Sequence, residues 1–137
     1  RYQYVATLDA RTSSICQRLD GQLFRYDQGP VPPQHFNCRS TTVPVIDDDD
    51  LAKTFPNTRP SATGRVPQDT NYANWLKDNP DLQDKVLGKK KRYFNFLMSP
   101  KRGTKQLNAT NALKKIIRED GTELTLKELA AKYKDAN

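Results

Sequence analysis

Nine prolines punctuate the 137-residue chain, and each one ends a helix, removes a backbone N–H from a sheet or fixes a turn. Long uninterrupted elements do not fit between them. Hydrophobic residues supply only 35% of the chain and the mean hydropathy is −0.88, so the core that can be buried is modest for this length. One domain is expected, or a compact unit with an extended tail that leans on a partner. No run approaches the ~18 apolar residues of a membrane span, so no membrane partner is expected. Arg1 stands first with no apolar leader behind it, which reads as a processed or partial product of a longer chain.

Charge divides the chain. The net charge is +7 and the pI about 9.5, but residues 1–50 hold 5 basic and 7 acidic side chains against 18 and 9 in 51–137. A basic partner surface therefore belongs to the second half, where the excess favours polyanions or an acidic protein face without sequence preference.

The β-branched and aromatic run over 2–8 predicts a strand. In Thr12-Ser-Ser a hydroxyl N-cap candidate precedes Ile15, Cys16 and Leu19 at helical spacing, and with Gly21 behind them this predicts a helix of about two turns. Residues 22–26 and 40–46 read as two further strands, the second interrupted by Pro44, with a rigid Gly29–Pro33 connection between them. Asp47, Asp48, Asp49 and Asp50 open a solvated linker that runs through Pro56, Pro60, Gly64 and Pro67 to Asp69. Helices follow: Tyr72, Trp75 and Leu76 behind a cap at Asp69 or Thr70; Pro80 onward to a stop at Gly88; about 108–120; and a last one from Thr125, where Thr125-Leu-Lys-Glu128 matches a capping box and Leu124 with Leu129 a hydrophobic staple.

Chemistry concentrates between Asp9 and Ser40. The single histidine and both cysteines lie within 23 residues, and His35 and Cys38 are separated by two residues, near enough to reach one ion. Cys16, His35 and Cys38 are three candidate zinc ligands, with Asp9 or Asp20 as a fourth. The same pattern also fits packing, with Cys16 as a small hydrophobe and His35 anchoring the proline loop, or one disulfide. Nothing indicates secretion, so a reducing compartment is the default. No third orienting group or Gly-rich loop accompanies the Cys/His residues, so no catalytic residue is assigned.

Asp9-Ala-Arg11-Thr12-Ser-Ser-Ile-Cys16, then Leu19-Asp20-Gly21 and Phe24, then Pro32-Pro33-Gln-His35-Phe-Asn-Cys38-Arg39-Ser40 with Val43-Pro44, together resemble the C-terminal module of the Mu F-like minor head proteins of tailed phages. That family's pattern runs D-x-R-T-x-x-x-C, a short D-G turn, and P-P-x-H-x-N-C-R. The likeness covers about 2–46. Gly64-Arg-Val66, 72–76, Leu87-Gly88 and 124–129 are more loosely similar to the tail that follows the module. The resemblance implies a low-copy virion protein of head morphogenesis, in the capsid interior near the portal vertex and assembled in the host cytoplasm. Its implied partners are portal or major capsid protein and packaged DNA, without a small-molecule substrate.

Between the helices, Lys89, Lys90, Lys91, Arg92, Lys101, Arg102 and Lys105 interleave with Tyr93, Phe94 and Phe96, and no acid lies between Lys85 and Arg118. Cations beside aromatics suit phosphate contact plus base stacking, although a solvated loop with core aromatics fits the same residues. Arg11 and Arg39 are further candidate contacts.

The expected architecture is α+β: a strand–helix–strand unit over 1–46 closed by the Cys/His loop, an acidic and Pro-rich arm over 47–69, and a basic helical tail over 70–137. The expected function is a non-enzymatic minor head protein. The competing class is a zinc-dependent hydrolase or nuclease in which Cys16, His35 and Cys38 hold the metal and Asp9 activates water.

Overall fold

A computed structural model describes residues 1–34, 38–45, 57–99 and 106–134. Its architecture is α+β, with a small antiparallel sheet at the N-terminal end followed by helices.

Strand β1 (Tyr2–Val5) is the centre of a sheet ordered β2-β1-β3. Its even-numbered residues point inward. Tyr2 and Tyr4 are buried, and Ala6 and Leu8 carry the same alternation past the end of the strand, as period-2 geometry requires. Strand β2 (Leu23–Phe24) pairs Tyr2 with Phe24. Strand β3 (Thr41–Pro44) pairs Tyr2 with Pro44 and Val5 with Thr41. Pro44 is tolerated there because β3 lies at the sheet edge, where a missing N–H breaks no second ladder. All three strands are shorter than the sequence predicts, and Ile46 lies outside the described residues.

Helix α1 (Ser14–Leu19) connects β1 to β2 and lays Cys16 beside Tyr4 and Ala6 in a small core with Ile15, Leu19, Phe24 and Cys38 around it. Of the hydroxyl residues ahead of it, Ser13 takes the N-cap position, without a side-chain cap hydrogen bond, and the Thr12 hydroxyl donates to the Thr7 carbonyl.

Part of the expected arm is folded. Strands β4 (Thr58–Arg59) and β5 (Val66–Pro67) form a hairpin that pairs Arg59 with Val66, and the Ala62 N–H donates to the Leu8 carbonyl at 2.9 Å. The Asp47 to Asp50 block lies outside the described residues.

The larger core is helical. Helix α2 (Tyr72–Lys77) is capped by Asn71, whose side chain accepts from the Asn74 N–H, rather than by Asp69 or Thr70. Helix α3 (Pro80–Leu87) begins with proline in its first turn. Gly88 ends α3 but does not end the helical path, because a 3-10 turn (Gly88–Lys90) leads directly into α4 (Lys91–Met98). Helix α5 (Ala109–Ile116) is capped by Asn108. It stops short of Asp120 because Ile117 leaves the helix to bridge Glu123. Helix α6 (Leu126–Lys132) has the expected Thr125 cap on the Glu128 N–H. Trp75, Leu76, Phe94, Leu113, Ile116 and Leu129 pack into one cluster that also takes in Leu8 from the sheet unit.

Polar contacts join the two cores. The Arg18 guanidinium donates to the carbonyls of Lys114 at 3.1 Å and Ile117 at 2.5 Å, placing a cation on the unsatisfied C-terminal carbonyls of α5. The Ser14 hydroxyl donates to the Gly121 carbonyl. Asp20 accepts from the N–H groups of Ala6 at 2.8 Å and Tyr72 at 2.7 Å. Arg59 lies 3.1 Å from Asp20 and also donates to the carbonyls of Ala6 and Thr70. Burial pushes the Asp20 carboxyl up, against the pull of Arg59 and the two backbone donors. Sheet unit, hairpin and helices thus meet at one buried ion pair.

Candidate functional site

The sheet holds the cysteines together. Cys16 is on the inner side of α1 and Cys38 leads into β3, and their sulfurs stand 3.7 Å apart. Neither cysteine is in a disulfide. The Tyr4 hydroxyl lies 3.4 Å from Cys16 Sγ and 4.0 Å from Cys38 Sγ, because the β1 alternation turns this ring into the same small core. Burial and the contact with Cys16 push the Tyr4 phenol above its usual range. At Cys38 burial raises the thiol, but backbone hydrogen bonds with Gln34 and Ser40 and the neighbouring Cys16 outweigh it and bring the pKa down to about 6.

Asp9 does not join them as a metal ligand. Its carboxylate accepts from Arg39 at 2.6 and 2.9 Å, from the Arg11 N–H at 2.9 Å and from the Thr12 hydroxyl at 3.2 Å. The hydrogen bond from Arg39 is the main reason its pKa falls to about 2. Asp20 is likewise occupied by Arg59, and among the described residues no three of His, Cys, Asp and Glu gather in a group that could hold a metal ion. His35, the third sequence-derived ligand, lies outside the described residues.

The geometry also weakens the hydrolase reading. A carboxylate with a pKa of about 2 is a poor general base near neutrality. The hollow beside Cys16, lined by Thr7, Arg11, Thr12, Ser13, Arg39 and Ser40, encloses about 20 Å³, room for a water, whereas the cavity on the Asp9 side, lined by Leu8, Asp9, Arg39, Arg59 and Ser61 among others, encloses about 420 Å³.

The basic tract is a helix at its start. Lys89 and Arg92 are exposed. Lys90 lies 3.5 Å from Glu123 and Lys91 2.7 Å from Asp84, so folding supplies acids that the linear sequence keeps away from the tract. Lys101, Arg102 and Lys105 lie outside the described residues. Tyr93 is 3% exposed and Phe94 fully buried, which corrects the expectation that these rings are open for base stacking. They form the apolar face of α4 and pack with Leu97 into the helical core, leaving no free ring face. Phe96 is partly buried, its ring 6.5 Å from that of Tyr133.

Arg11 is exposed, and Arg39 is tied to Asp9. Tyr4, Arg18 and Arg59 matter to the site or its seating but carry no motif. Only the β1 alternation, which turns residue 4 inward, pointed toward one of them. Among the described residues no helix is long and apolar enough to cross a membrane.

Comparison with known proteins finds a family model that matches the part of the chain carrying the Asp9 to Ser40 motifs. The model described as Phage Mu protein F like protein matches residues 1–43. The resemblance in the sequence is to the family's C-terminal module, whereas the match falls on the N-terminal part of this chain, and that placement stands. A Haemophilus influenzae protein described as an uncharacterized protein is 30% identical over 94 residues, covering 64% of this chain and 20% of the relative. The chain therefore spans about a fifth of that relative's length. No solved structure matches it.

Proposed function

We propose, from the Phage Mu F-like character of residues 1–43, that this chain is a structural component of tailed-phage heads that acts in head morphogenesis. The observation that carries the reading is the coincidence of the match with a structural unit. Residues 1–43 take in β1, α1 and β2 and end one residue short of the end of β3.

That unit does not stand apart. Arg18, Ser14 and Asp20 bind it to α5, the Gly121 turn and the N-terminus of α2, so whatever the sheet binds is held in fixed relation to the helices. At the sheet, Leu23, Tyr26 and Val31 are exposed by 47%, 66% and 56%. Apolar side chains presented near a short edge strand suit a protein face, which in a phage head is portal or major capsid protein. Exposed Lys89 and Arg92 suit a polyanion, which in the capsid interior is packaged DNA. The finer reading is a low-copy protein near the portal vertex that touches both.

The test is a nonsense mutation in the gene, with and without a suppressor, in the phage or prophage that encodes the chain. Counts of DNA-filled heads by negative-stain microscopy should fall without suppression and recover with it. Unchanged numbers of filled heads would reject the reading.

A further inference from the structure

We propose that Cys16 and Cys38 are a redox-modifiable pair that closes into an intramolecular disulfide by exchange with a low-molecular-weight disulfide such as oxidised glutathione. This inference is independent of the head-protein reading.

Twenty-two positions apart in sequence, the two sulfurs stand 3.7 Å apart. A disulfide is about 2.05 Å long, so they need to approach by less than about 2 Å, which a small adjustment of the segment leading into β3 supplies. Access is unequal. Cys16 is 1% exposed and Cys38 partly exposed, so a reagent in solution meets Cys38 first. The thiolate is the attacking form, and the more accessible Cys38 supplies it.

The exchange balances in two steps. The Cys38 thiolate attacks one sulfur of the small disulfide, whose S–S bond breaks to release one small thiolate and leave a mixed disulfide on Cys38. The Cys16 thiol gives its proton to that released thiolate and attacks Cys38 Sγ, and the second small thiolate departs. The two protein sulfurs lose two electrons, and the small disulfide gains them.

Two thiolates at this separation also span an edge of a tetrahedral zinc site, where Zn–S is about 2.3 Å. Zinc needs further ligands, and His35, close by in the sequence, lies outside the described residues, so bound zinc is an outcome that the experiment reads directly. The disulfide needs only the two sulfurs already in place.

The reduced full-length chain is incubated at neutral pH in glutathione buffers of graded redox ratio, quenched with acid and alkylated. Intact mass and peptide mapping should show a monomer with a Cys16–Cys38 crosslink that accumulates as the buffer becomes more oxidising. Cys16→Ser should trap glutathione on Cys38. Cys38→Ser should leave Cys16 reacting roughly tenfold or more slowly than Cys38 does in the wild type. The wild-type series does not depend on the variants folding. Thiols that stay alkylatable across the whole series, or that take up glutathione independently, would overturn the proposal. Stoichiometric zinc retained by the purified chain would also overturn it, in favour of a metal-thiolate site.

Discussion

Arg59 reaches Asp20 across 39 residues of sequence and holds its carboxylate in the interior, with the two side chains 8% and 0% exposed. One charged pair closes the end of β1, the cap of α1, the hairpin and the start of α2. A buried charge left without its partner is costly, so the folding of these elements is linked through this contact.

Arg59→Ala and Asp20→Asn should each destabilise the chain by about 3–5 kcal/mol, the range for breaking a buried pair from one side. Arg59→Lys keeps the charge but loses the fork that serves Asp20, Ala6 and Thr70 together, and should fall between wild type and Arg59→Ala. Denaturant titration followed by Trp75 fluorescence measures all three. An effect within about 0.5 kcal/mol, the usual range of surface substitutions, would show that the pair does not join the units.

Acid should weaken the chain through Asp9. Its folded pKa of about 2 lies below the ordinary value of 3.8, so between these values the unfolded chain binds more protons than the folded one. The stability Asp9 contributes is therefore fully present above about pH 4 and is lost as the pH falls through 2. Asp9→Asn or Arg39→Gln should flatten this part of the stability profile, as read by denaturant midpoints from pH 5 downward.

Gly121 should resist substitution more strongly than Gly88. Both have positive φ, +89° and +59°, but a Cβ at Gly121 would stand 2.4 Å from the Ile15 Cβ, while one at Gly88 meets nothing within 4 Å. Gly88→Ala should cost about 1–3 kcal/mol from backbone strain alone, since its φ of 59° and ψ of −132° lie outside the left-handed α region, and Gly121→Ala roughly 1–3 kcal/mol from the clash with α1 on top of its own backbone strain. Equal thermal shifts for the two would mean that the 121 turn does not press on α1.

The basic segment should bind duplex and single-stranded DNA with steep salt dependence in both, because Lys89 and Arg92 face solvent and the Tyr93 and Phe94 rings do not. Replacing Lys89 and Arg92 by alanine should reduce the slope of log K against log salt by about 0.9 for each duplex phosphate that is no longer neutralised. Phe94→Ala should instead lower stability by about 3–5 kcal/mol without a selective drop in single-strand affinity. Fluorescence anisotropy across a salt series, beside a melting curve for each variant, separates these effects.

The alternation of Tyr2, Tyr4, Ala6 and Leu8 and the Thr125 capping box were legible in the sequence because each is a local pattern with one physical meaning. The likeness of 1–43 to a phage family was legible for a similar reason, since the residues that carry it keep their spacing. Helix α4 was not. Lys89 to Arg92 follows a glycine and reads as a solvated loop, and its helical state depends on Tyr93, Phe94 and Leu97 finding the core. Arg59 was hidden for the opposite reason, because a lone arginine among prolines gives no local sign that its partner is Asp20. At the cysteines the sequence brought the candidates together but could not show that Arg39 would take Asp9 away from them.

The most direct test of the head-protein account is quantitative mass spectrometry of density-purified particles from the phage that encodes this chain. Peptides from both the matched 1–43 segment and the helical 70–134 region should be present at a low ratio to major capsid protein, and should stay with the particles through a high-salt wash. Their absence from particles that are otherwise complete would contradict the account.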